Sequence, residues 1–129
     1  MSKQLVATGL CTVCTDVIAF MELVEVTNVA LKEKDRIVLK TMIDEEIAKI
    51  PGIIANLRLP EFSGIFQIKD ESEYVYGYTH GSIVGKFETY YFVVHSGKKP
   101  NGSEIDEIAQ TLFQRSTEIR DAVFRAVGQ

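Results

Sequence analysis

The segment Ser103–Val127 carries the pattern that most restricts what this chain can fold into. Ile105, Ile108, Ala109, Leu112, Ser116, Ile119, Val123, Ala126 and Val127 recur at the 3.6-residue period and define one apolar helix face. Ser103 is expected to cap the amino end, with Glu104, Asp106 and Glu107 in the first turn. Arg120 and Arg125 suit the carboxyl end, where Gly128 can close the helix. At about 1.5 Å per residue this helix is roughly 36 Å long, against about 17 Å for a five-residue strand. It must overhang any sheet it covers, or lie along another helix.

Two more helices are expected near the amino terminus. Over residues 10–26, Leu10, Val13, Cys14, Val17, Phe20, Met21 and Val24 gather on one side, with Thr12, Thr15, Asp16, Ala19 and Glu22 opposite. The many β-branched residues there oppose a helix, but the wide stripe favours one, buried on more than one side or meeting another subunit. Asp35 is the expected cap of a second helix reaching about Ile50. Leu39, Met42, Ile43, Glu46 or Ile47, and Ile50 would face inward. Pro51-Gly52 should end it, because proline lacks the amide donor and restricts its predecessor.

The period then changes to two. Ile53, Ala55, Leu57 and Leu59 alternate with Ile54, Asn56 and Arg58 up to Pro60. Turns at Glu61-Phe62-Ser63-Gly64, at Asp70-Glu71-Ser72-Glu73 and at His80-Gly81-Ser82 separate runs at 65–69, 74–79 and 83–95. Links this short join antiparallel strands, since a parallel pair needs a crossover of a dozen residues or more. The sequence therefore predicts one α+β domain over residues 1–129. Its antiparallel four- or five-stranded meander would be covered by two N-terminal helices and one long C-terminal helix.

Composition narrows the function. With 129 residues, one core is all the chain can bury well. Fourteen basic residues against eighteen acidic give a formal charge of −4, which repels a nucleic-acid backbone. No window approaches the roughly 18 uninterrupted apolar residues of a membrane span. Met1-Ser2-Lys3-Gln4 does not open a secretory signal, and two cysteines make no disulfide framework. A reduced, cytoplasmic setting is expected.

Cys11-Thr12-Val13-Cys14 has the spacing of a redox pair or half a metal site, but Cys14 sits on the apolar stripe and no second pair follows. Cys11, Cys14, His80 and His95 could complete a tetrahedral set only by tertiary coincidence, so no metal and no cofactor is expected. Gly77 to Lys86 lacks the spacing of a phosphate loop, because three residues separate Gly81 and Gly85 and Phe87 follows Lys86. Tyr74, Tyr76 and Tyr78 would share one sheet face beside His80, either as core or as an aromatic ligand platform. Asp44-Glu45-Glu46 and Asp70-Glu71-Glu73 read as solvated acids. No nucleophile has an identifiable His–acid partner, and no catalytic residue is assigned.

The closing half, with Gly64-Ile65, Gly77, Gly85-Lys86, Tyr90–Val94 and the terminal helix, loosely resembles that of a profilin. Longin and roadblock domains share the same two-layer plan. That resemblance implies a sheet covered by helices; the first half of the chain does not follow it. The leading expectation is a non-enzymatic interaction, adaptor or regulatory module that self-associates or docks a partner protein through Val13, Val17, Phe20, Met21 and Val24. The alternative is a sensor binding a small ligand at Tyr74, Tyr76, Tyr78 and His80. A thiol or metal protein using Cys11 and Cys14 is the third.

Overall fold

The computed structural model describes residues 30–128, and no strand occurs among them. The chain forms α1 (Glu33–Leu57), α2 (Pro60–Phe66), α3 (Glu71–Val94), α4 (Gly102–Gln114) and α5 (Ser116–Val127). The expected antiparallel sheet, and with it the α+β class and the likeness to two-layer domains, is overturned. The stretches read as strands are the end of α1, the end of α2 with the link that follows it, and most of α3. The segment carrying Val13, Val17, Phe20, Met21 and Val24 lies outside the described residues.

Polar contacts give the direction of each helix. Asp35 meets Tyr90 and His95, Glu46 meets Ser82 and Lys86, and Arg58 meets Glu71, so α1 and α3 run antiparallel. Arg36 meets Glu107, Asp44 meets Arg115, and Arg58 donates to the Val127 carbonyl, so α4–α5 runs parallel to α1. The result is an up-down-up bundle of three long rods, with α2 bridging the first two.

Each rod follows from a buried stripe at helical spacing. On α1 this is Leu39, Ile43, Glu46, Ile50 and Ile54; on α3 it is Val75, Thr79, Ile83, Phe87 and Tyr91, four residues apart throughout. Pro51 does not end α1, which continues through it to Leu57. Proline removes one helical hydrogen bond, yet the stripe carries on into Ile54, 3% exposed, and that burial holds the last turns. Asp35 is not the cap either. Lys32 occupies that position, and Asp35 turns inward from the first turn.

The acidic run expected to be a turn starts α3, where the Asp70 carboxylate accepts from the Glu73 amide at 3.0 Å. His80-Gly81-Ser82 lies in mid-helix. The true break comes at Ser96 and Gly97, both with positive φ (57° and 85°), and the Gly97 amide donates to the Phe92 carbonyl at 2.7 Å. The terminal helix is divided at Arg115 (φ −99°, ψ 6°), and its cap is Asn101 rather than Ser103. Asn101 and Glu104 form a reciprocal capping box.

Among the described residues two buried side-chain oxygens, Thr79 Oγ1 and Gln110 Oε1, lie unsatisfied. Thr79 is fully buried between α1 and α3, and its hydroxyl has no partner among the described residues. Thr79→Val keeps the shape and removes a desolvated donor. It is expected to raise stability by about 1 kcal/mol, read as a higher urea midpoint at unchanged slope.

Candidate functional site

Opposite α1, α3 and α4–α5 part to leave an apolar groove of about 510 Å³. Phe87 and Val84 of α3 and Ile108 and Leu112 of α4 make its floor. Tyr76, His80 and Glu88 line one wall; Ile105, Ala109, Phe113, Ser116 and Arg120 line the other. Fifteen residues separate Ile105 from Arg120, so the groove extends about 22 Å along the helices. A second hollow continues it past Glu88 and Ile105 to Phe92 and Pro100.

Helical spacing explains why this surface is apolar. Ile105, Ala109 and Phe113, four apart, form a ridge beside the core ridge of Ile108 and Leu112. The core takes the second ridge and leaves the first uncovered, with Ile105 50% and Phe113 60% exposed. Ala109 between them is a dip where another backbone can approach. The rim is polar: Arg120 pairs with Glu73 at 2.9 Å, and its guanidinium lies 3.9 Å over the Tyr76 ring.

Of Tyr74, Tyr76 and Tyr78, expected on one face beside His80, the structure puts only Tyr76 in the groove, together with His80. Tyr76 and His80, four apart, lie in the groove wall with ring centroids 6.3 Å apart. Tyr74 and Tyr78 stack on each other on a different stripe of α3, because residues two apart on a helix point about 200° apart. Phe113 was not anticipated. Its signal was present as the third member of the 105, 109, 113 ridge.

Among the described residues no hydrogen bond joins His80, Glu88 and Ser116, and the Ser116 hydroxyl donates to the Phe113 carbonyl at 2.7 Å. His80 and His95 lie fifteen residues apart on one helix axis, about 22 Å, so one ion cannot take both. Cys11 and Cys14 lie outside the described residues. Among the described residues, no acid, His or Cys cluster is arranged to hold a metal, and no helix is long and apolar enough to cross a membrane.

Buried acids fix the scaffold around the groove. The Asp35 carboxylate accepts from the Tyr90 hydroxyl and meets His95 Nε2, both at 2.7 Å. Burial alone would push its carboxyl up, but the Tyr90 and His95 hydrogen bonds outweigh that and hold it below the usual value. Burial and the same contact push the Tyr90 phenol up to about 12. Burial would likewise raise Glu46, but Lys86, Lys49 and Ser82 prevail and lower it. These contacts clamp α1 to α3 at both the middle and the end, so the α3 wall of the groove is rigid. Compared with protein families, curated proteins and solved structures, the chain matches none.

Proposed function

We propose that this chain is a helical protein-interaction module whose groove between α3 and α4–α5 receives the apolar face of a partner helix. The observation that carries the reading is the uncovered ridge of Ile105, Ala109 and Phe113 beside a filled core. A groove between two rods with an apolar floor and a charged rim suits ridge-into-groove packing of a third. Its length of about 22 Å fits some fifteen helical residues. A non-enzymatic role in a cytoplasmic setting belongs to the same reading, as does self-association when the partner helix comes from a second copy.

A small flat ligand is supported less well. The volume lies within the range of about 300–1,000 Å³ usual for ligand pockets. However, the Arg120 guanidinium already covers the Tyr76 ring on which such a molecule would stack.

The test is selection from a displayed library of amphipathic fifteen-residue segments. It is run on the full chain and on the full chain carrying Val17→Glu and Met21→Glu, which disables competition from its own apolar stripe. Binders are expected to carry apolar residues at i, i+3, i+4 and i+7. Ala109→Glu, placed in the dip, should weaken them at least tenfold, equivalent to about 1.4 kcal/mol, with the helical circular dichroism retained. Binders indifferent to Ala109→Glu, or none on either chain, would overturn the proposal.

A further inference from the structure

We infer that the first occupant of this groove is the chain's own segment Leu10–Val24, docked in cis as a helix that a partner must displace. The inference rests on the reading of the groove as a helix receiver. Leu10–Val24 lies outside the described residues, so its part in the argument is its sequence. It is fifteen residues long, about 22 Å as a helix, which is the length of the groove. Its apolar stripe is wide and unbroken, as a surface facing an apolar floor requires.

The point at which the chain enters the described region supplies the second argument. The amides of Ala30 and Leu31 both donate to Glu107 Oε1 at 2.7 Å, and the Leu31 side chain is 3% exposed. The chain is therefore fastened to α4, one of the two walls of the groove. Glu107 and Ala109 face opposite sides of α4, about 200° apart. For Leu10–Val24 to reach the groove, the five residues between Val24 and Ala30 would have to pass round that helix. Extended, they span about 20 Å, against a helix diameter of about 10–12 Å, so the path is open.

Proximity then decides the competition. A short tether raises the local concentration of the segment to the millimolar range, so an untethered helix prevails only by binding much more tightly. The segment also sets a threshold: only partners of higher affinity, or partners that draw the segment away, gain the ridge.

Geometry fixes a register that can be tested. A segment entering beside Ile105 and running antiparallel to α4–α5 would set Val24 near Ile105 and Cys14, ten residues earlier, near Ser116. The experiment uses the full chain with Cys11→Ser and one added cysteine: Ser116→Cys or Ala109→Cys in the groove, or Lys40→Cys on exposed α1 as control. Each is oxidised with oxidised glutathione and sized by native mass spectrometry. Supporting the inference is a disulfide within one chain, monomeric by mass, from Cys14 to position 116 but not to 40 or to 109, which lies about 10 Å further along the groove; a disulfide to 109 in place of 116 would overturn it. A disulfide-linked dimer through the groove would overturn docking in cis, and it would leave the helix-receiver reading intact with a second copy as partner. No groove disulfide above the Lys40→Cys level would also overturn it. Dependence of library binding on Ala109 then tells whether the receiver reading stands alone.

Discussion

Phe87→Ala is expected to cost about 3–5 kcal/mol, a large share of the roughly 5–15 kcal/mol by which a domain of this size is stable. Phe87 is 0% exposed, with its ring centroid 5.7 Å from Tyr90 and 6.3 Å from Tyr91. It belongs both to the core and to the groove floor. Truncation removes about 2 kcal/mol of apolar transfer energy and leaves a void that rigid neighbours cannot fill. Those neighbours are held: the Tyr90 hydroxyl by Asp35 and the Tyr91 hydroxyl by Glu104, each at 2.7 Å. Phe124→Ala, at a ring 55% exposed, is the matched control and should move stability by no more than about 0.5 kcal/mol. Urea unfolding of the two variants measures both. A loss below about 1 kcal/mol for Phe87→Ala would show that the groove floor is not continuous with the core.

Helix α3 shows why so little of the middle of the chain was legible. Gly77, Gly81 and Gly85 each disfavour a helix by about 1 kcal/mol relative to alanine, and they divide the sequence into short β-branched and aromatic runs. The alternation of Tyr74, Tyr76 and Tyr78 completes the appearance of a strand. The competing signal is the fourfold recurrence of Val75, Thr79, Ile83, Phe87 and Tyr91, which only becomes visible when the glycines are read through. Its four apolar side chains each contribute about 1.5–3 kcal/mol on burial, which exceeds the cost of three glycines. A cβ added at any of the three would meet nothing within 4 Å, so they face away from the bundle and break no packing.

The ends of the described region were more readable, for the same reason in reverse. The α1 face of Leu39, Ile43, Glu46 and Ile50 and the terminal face of Ile108, Leu112, Ile119, Val123 and Ala126 are buried as their spacing predicts. There, propensity and pattern agree. Both caps were misplaced, at Asp35 for Lys32 and at Ser103 for Asn101, and the passage of α1 through Pro51 and the break at Arg115 also escaped, because each of those two depends on a tertiary partner. Arg115 reaches Asp44 of α1 at 2.6 Å while pairing with Glu118. The site was half legible. Tyr76 and His80 were singled out, but as neighbours on a sheet. Of the ridge that defines the groove, Ile105 and Ala109 were placed on the same apolar face as the core residues and Phe113 was missed, since a sequence pattern gives the width of an apolar sector and not which part a neighbour covers.

Glu107→Ala should cost about 3 kcal/mol and loosen the entry of the chain onto α4. One carboxylate oxygen accepts from the Ala30 and Leu31 amides and the other from Arg36 Nε, with the Glu107 side chain 8% and that of Arg36 17% exposed. Removing it strands a buried cation and two amides, a loss usually of about 3–5 kcal/mol. The low end applies because Arg36 keeps Glu33 and the Leu31 carbonyl. Glu107→Gln retains an acceptor and should cost less, and its diagnostic is pH. Burial pushes the Glu107 carboxyl up, but Arg36 and the two amides outweigh it and hold it below the ordinary 4.5. In the unfolded chain it protonates near that ordinary value, so its stabilisation is complete above 4.5 and is lost as pH falls through the lower, folded value. The gap in urea midpoint between wild type and Glu107→Gln should therefore be smaller at about pH 3 than at about pH 6, leaving Asp35 and Glu46 to carry the remaining acid sensitivity. Equal gaps at the two pH values would mean that the charge of Glu107 contributes nothing. In Glu107→Ala the chain at Ala30 and Leu31 is no longer fastened to α4. The Cys14 cross-link to position 116 should then form more slowly, while library helices gain affinity for the exposed ridge.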